Sequence, residues 1–174
     1  ISKEVFKLAY PVIVSNLSRV LMSIFDVAMV GRLGTEALAA TGMGAMMLWG
    51  ALSLVLGIRT AVQTVASRRL GQKIDHEAGT AFHNGLLMAT IYALPMSVAG
   101  WLWAKDIIPF FIDDVIATPL TVDYASIIFL SLLFSAYSFV FQGFYTGVEK
   151  TKIHMSVTIT SNVINVYLNA GLIY

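Results

Sequence analysis

What most constrains this chain is a run of five long apolar stretches, at about 5–30, 37–66, 78–104, 124–145 and 153–174, parted by short polar turns. About 20 mostly apolar helical residues cross the hydrocarbon core of a bilayer, and each stretch has that length. Inside lipid every backbone N–H and C=O must bond within the protein, which leaves helices and closed barrels as spanning structures. No strand-like alternation of apolar and polar residues competes here. The expected fold class is therefore all-α, a polytopic transmembrane helical bundle. Composition agrees: 57% of the 174 residues are hydrophobic and 12% charged, about half the charged share of a globular protein. A soluble domain of this size could not hide so much apolar surface. The chain starts at Ile1 and stops at Tyr174 inside an apolar run, so it is expected to be one piece, 1–174, of a longer bundle.

Charge placement orients the bundle. Loops on one side hold Lys3, Lys7, Arg68, Arg69, Lys73, Lys150 and Lys152, and those on the other hold Arg32 and Lys105. The positive-inside rule places the first set, with the N-terminus, in the cytoplasm of a multi-pass cell-membrane protein. The stretch from Lys105 to Asp123, with Pro109, Asp113, Asp114 and Pro119, is the longest connection and is expected to hold an interfacial turn. A net charge of +1 gives no reason to expect a nucleic-acid partner. The absence of cysteine excludes disulfides and thiolate metal sites. No cleavable signal peptide is evident. No GxSxG, HExxH, phosphate-loop or dinucleotide fingerprint occurs, so an enzyme is not expected.

Polar groups within the spans are costly and each needs a reason. Asp26 stands nineteen residues beyond Lys7, roughly 29 Å along a helix and so in the outer half of the bilayer. It reads as a cation or proton site facing the bundle interior, against the alternative of a carboxylate reaching for the outer surface. Ser15, Arg19, Met22 and Asp26 share a helical face. Arg19 lies too far along the axis for a direct pair with Asp26, and reads equally as part of a cavity network or as a structural charge. Arg59, in the inner half of the second span, reads as a side chain snorkelling inward. On the fifth span Thr158, Asn162, Asn165 and Asn169 fall on one face. Their amide oxygens suit Na⁺ or a hydrogen-bond network around a carboxylate, and the plainer reading is interhelical bonding. Asn169 lies seventeen residues beyond Lys152, about 26 Å outward. Asp26 and Asn169 thus reach similar heights on helices running the same way. Pro11 reads as a hinge or as a proline tolerated near a helix start. His76, His83 and His154 read as solvated, and Gly143 and Gly147 have close-packing spacing without further support.

Several segments together resemble the multidrug and toxic compound extrusion (MATE) transporters. Leu8-Ala9-Tyr10-Pro11, Asp26, and the run Val30-Gly31-Arg32-Leu33-Gly34-Thr35-Glu36-Ala37-Leu38-Ala39-Ala40 resemble that family's first helix and loop. Leu70-Gly71-Gln72, then Gly147 with Thr151-Lys152, and then Asn162, Asn165 and Asn169 resemble later landmarks. The resemblance implies two six-helix bundles with substrate between them, of which this chain would supply about five spans of the N-terminal lobe. The missing partners would be a sixth helix and the C-terminal bundle, besides membrane lipid. It implies export of organic, often cationic, small molecules in exchange for H⁺ or Na⁺, with no cofactor. Asp26 would match the lobe's carboxylate, Asn165 a residue of its cation site, and Pro11 a helix-bending proline. Asn169 stands where one branch has aspartate and another asparagine. Na⁺, if it is the coupling ion, would sit at Asp26, Asn165 and Asn169.

Other readings are a flippase for lipids or lipid-linked sugars, for which Arg19 and Arg59 could hold a phosphate, an intramembrane enzyme, and a membrane scaffold. The enzyme lacks a catalytic constellation. The scaffold leaves Asp26 and the asparagine face without a role.

Overall fold

A computed structural model describes residues 2–112 and 115–173, and shows no strand among them. Six helices follow in order: α1 Ser2–Val30, α2 Thr35–Gly71, α3 Asp75–Ile107, α4 Ala117–Leu130, α5 Leu132–Gly147 and α6 Thr151–Ile173. One-turn 3-10 segments, Gly31–Leu33 and Ile108–Phe110, follow α1 and α3. The turn into α2 passes through Gly34 at φ 121°, a conformation that a Cβ disfavours. The expected turn after Lys105 is present at Ile108–Phe110, while Asp113 and Asp114 lie outside the described residues.

The helices are those of a polytopic membrane protein. Ala9–Leu33, Thr35–Gly71 and His76–Phe110 are each long and apolar enough to cross a membrane. The span expected at 124–145 is instead two helices, α4 and α5, of 14 and 16 residues, bent by 47° and long enough to cross only as a pair. The cause of the bend is local. Ser131 directs both its backbone N–H (3.1 Å) and its hydroxyl (2.7 Å) at the Ile128 carbonyl, which diverts the helical ladder by one residue. The expected fifth span is the helix α6, with 23 residues. Length qualifies it, but its polar face keeps it out of the set that composition alone marks as spanning.

Packing divides the helices into two groups. α2, α3 and the bent α4–α5 pair pack extensively on one another, α1 packs on α6, and a thin seam of α1–α2 and α5–α6 contacts joins the groups. The larger group has a small-residue core: Val55 and Val62 of α2, Ala89 and Ala93 of α3, and Leu132, Ala136 and Val140 of α5. Gly143 and Gly147 of α5 meet α2 backbone to backbone. A Cβ at Gly143 would stand 2.5 Å from the Arg59 carbonyl oxygen, and one at Gly147 2.6 Å from that of Gln63. The glycine pair is therefore where α5 approaches the α2 backbone most tightly among the glycines of α5. Without a water-driven hydrophobic force in lipid, such close approach and cross-helix hydrogen bonds hold helices together. Tyr92 donates to the Ala51 carbonyl at 2.7 Å, Ser97 to that of Phe129 at 2.7 Å, and Thr90 and Tyr137 share a 2.8 Å hydroxyl bond. These tie α3 to α2, α4 and α5. Large apolar side chains such as Ile91, Ile127 and Phe134 point outward, as they do where lipid is the solvent.

Candidate functional site

The α1–α6 pair brings the polar residues together. Asn162 donates from Nδ2 to Ser18 Oγ at 2.8 Å, and Asn169 donates from Nδ2 to Asp26 Oδ1 at 2.8 Å. Eight residues separate the contacts on α1 and seven on α6, a register that only helices running the same way can give. The second N–H of the Asn169 amide goes to Asn165 Oδ1, also at 2.8 Å. One amide thus bridges a carboxylate and a second amide oxygen, uses both its hydrogens, and leaves its own Oδ1 free of protein donors among the described residues.

Asp26, Asn165 and Asn169 open onto a cavity of about 410 Å³ at the seam, where Ser23, Thr41 and Tyr124 also line the wall. Tyr124 reaches it because Gly44 lies beneath its ring; a Cβ there would stand 2.5 Å from a ring carbon. Thr41 spends its hydroxyl hydrogen on the carbonyls of Ala37 and Leu38, so its oxygen can only accept. The polar part of the lining is a set of hard oxygens: two from Asp26, one each from Asn165 and Asn169, and the hydroxyls of Ser23, Thr41 and Tyr124; Val27, Val30, Leu38 and Ala45 make the rest apolar. Such a set suits a proton or an alkali cation. No three His, Cys, Asp or Glu side chains converge among the described residues.

The other expected residues fall elsewhere. Pro11 is buried more than two turns inside α1, so it is not a helix-start proline. The Ser15 hydroxyl donates to the Pro11 carbonyl at 2.8 Å. Arg19 is half-buried and makes no ion pair among the described residues, where the single salt bridge joins Arg69 to Glu77. Thr158 faces His154 Nδ1 at 3.5 Å, the limit of a hydrogen bond.

Two sequence readings need correction. His154 is not solvated: it is partly buried, and its Nε2 lies 2.8 Å from the Gln142 amide nitrogen. Arg59 does not snorkel freely: its Nε is buried without a hydrogen-bond partner, and its guanidinium lies 6.0 Å from the Phe139 ring centre. Thr41 and Tyr124 were missed at the seam. Thr41 sits in an ordinary apolar stretch, and only the fold carries Tyr124 to Asp26.

A half-open pocket with one polar corner thus lies where the two groups of helices meet along a thin seam. The chain belongs to the MatE family, whose model matches residues 11–170. It is 28% identical over 98% of its length to the probable multidrug resistance protein NorM of Pseudomonas aeruginosa, and 30% identical over 99% to that of Photorhabdus laumondii. It spans 35% and 38% of those relatives' lengths. Two solved structures share the fold at a TM-score of 0.92 and 20% identity, over 99% of this chain and 38% of theirs. One is described as a transporter of the MOP superfamily from Pyrococcus furiosus, with a binding pocket of reverse polarity. The other is an outward-facing multidrug resistance MATE family transporter.

Proposed function

We propose that this chain is the ion-handling part of an antiporter that exports organic, often cationic, small molecules in exchange for H⁺ or Na⁺. The observation that carries this reading is the bridge from Asn169 to Asp26 and Asn165 at the mouth of a seam cavity. An unpaired carboxylate inside a membrane protein marks an ion path by default. With the site empty of cation, the Asn169 N–H group supplies the positive end that Asp26 requires. A cation arriving at Asp26 takes over that role. Asn169 can then turn its amide so that Oδ1, not Nδ2, faces the ion. A proton instead converts Asp26 Oδ2 from acceptor to donor and leaves the Oδ1 bond in place. Pro11 would let α1 bend as the charge at Asp26 changes. In the complete protein, a sixth helix and a second bundle would enclose the substrate, in keeping with relatives nearly three times as long.

The test is efflux of a cationic dye from vesicles containing the complete protein, under an H⁺ gradient and a Na⁺ gradient applied separately. At least one gradient is expected to drive efflux. Rates indifferent to both would end the reading. The cytoplasmic N-terminus has its own check: a single cysteine replacing Lys73 is expected to react only from the cytoplasmic side and one replacing Lys105 only from the outside, and the opposite pattern would reverse the assignment.

A further inference from the structure

Met43, Met46 and Met47 of α2 and Met96 of α3 line a cavity of about 360 Å³, which shares no lining residue with the one at Asp26. The three on α2 stand at i, i+3 and i+4, and so project from one helical face. Four of the chain's eight methionines are among the twelve residues around this single cavity. An even spread over 174 residues would put about one there or none, so the clustering calls for a reason. Small residues make the room. A Cβ on Gly50 would meet nothing within 4 Å, which leaves open space one turn beyond Met46 and Met47. Ala104 and Ile108, both buried, form the inner wall with Phe129, whose ring lies where a Cβ on Gly100 would stand. Met47 packs against that wall, while Met46 is 73% exposed at the mouth.

The chemistry of this lining is narrow. None of its side chains carries a nitrogen or an oxygen, so the thioether sulfurs are the only side-chain donors. Thioether sulfur is a soft, polarizable ligand that selects Cu(I) among the common metals, whereas Na⁺, Mg²⁺ and Ca²⁺ want oxygen. A monovalent ion also carries the smallest cost of any metal ion on leaving water. Unbranched and turning about three side-chain bonds, methionine can re-aim its sulfur within the space that Gly50 leaves. The chain has no cysteine, so no thiolate competes for a soft ion within it.

We propose that Met43, Met46, Met47 and Met96 form a binding site for a soft monovalent metal ion, Cu⁺ or Ag⁺, held by thioether sulfur alone. The ion enters past Met46, is held deeper by Met43 and Met47, and takes Met96 from the opposite helix. Binding ties α2 to α3 and asks nothing of Asp26, so the site neither rests on ion-driven export nor implies it.

The experiment uses Ag⁺ and the purified complete protein in chloride-free buffer, with two readouts. The first is the rate at which hydrogen peroxide converts each methionine to its sulfoxide, followed by mass spectrometry. A sulfur whose lone pair is on the metal cannot attack peroxide, so Ag⁺ is expected to slow oxidation of Met46 and Met96 by about ten-fold. Met88, 60% exposed and outside the cavity, is expected to oxidise as before. The second readout is Ag⁺ bound at equilibrium dialysis. Met43→Leu combined with Met47→Leu keeps the side-chain volume and so the fold, and is expected to weaken binding about ten-fold or more by removing soft ligands. Met88→Leu is expected to leave it unchanged, and excess Na⁺ not to compete. Cavity methionines that oxidise equally with and without Ag⁺, or an affinity that survives the double substitution, overturn the proposal. Met46 and Met96 that resist peroxide even without Ag⁺ would show this face covered by the rest of the protein, and overturn it too. The oxidation pattern is read on the wild type, so a poorly folding variant leaves the test standing.

Discussion

Asp26→Asn is expected to insert and fold normally and to lose ion-driven dye efflux by roughly ten-fold or more, as befits a carboxylate held inside a membrane for its charge. The new amide keeps the shape of the carboxylate, and its Oδ1 can still accept the 2.8 Å bond from Asn169. What disappears is the charge. A neutral amide neither takes up a proton near neutral pH nor balances a bound Na⁺, so the ion has no grip on the protein. Substrate binding is expected to survive, because the side chain's size and most of its hydrogen bonding remain. The measurement is efflux at matched expression, across pH and with and without Na⁺. A variant with the wild-type rate and ion dependence would make Asp26 a structural residue.

The second large effect concerns the helix contact that holds the seam's heavier side together. Gly143→Leu is expected to prevent accumulation of folded protein, and Gly143→Ala to lower stability by roughly 1–3 kcal/mol, the usual range for overpacking. The atom that a new Cβ would meet is the Arg59 carbonyl oxygen at 2.5 Å, backbone that cannot swing aside. α2 and α5 must separate or shift, and Gly147, one turn on with its own 2.6 Å approach to Gln63, cannot follow without losing its contact. Thermal unfolding in detergent, followed by size-exclusion chromatography, reads both variants. An unshifted midpoint for Gly143→Ala would show that the helices can part at that point at little cost.

Helices and the meeting of polar residues between α1 and α6 were legible because both follow from rules local to the chain. Apolar length marks a span, and a charge in a span demands a partner. Depth counting from Lys7 and Lys152 put Asp26 and Asn169 at one height, and their 2.8 Å bond shows the two helices in contact there. Elsewhere the information was not local. The break at Ser131 depends on one hydroxyl and one N–H choosing the same carbonyl, and serine sits in many unbroken helices. His154 is near a helix start, where solvation is the ordinary outcome, and only packing against α5 brings it to Gln142. Arg59 has a side chain long enough to reach the interface, but the close α2–α5 approach leaves its Nε buried without a partner, beside the Phe139 ring. In each case a tertiary contact overrode a sound local preference.

The division into two helix groups bears on how an ion could do work. Asp26 lies on α1, and Asn165 and Asn169 on α6, so the proposed ion ligands would ride on the same pair. Were the pair to tilt as a unit, their mutual distances would travel with it and the ion's grip would be nearly the same before and after. A ligand held equally by two shapes favours neither, however tightly it binds. Discrimination must then come from the far bank, where Tyr124 and Thr41 face the same cavity. On the proposed reading, the energy that a cation could transmit would be bounded by two hydroxyl groups that gained or lost it as the banks moved.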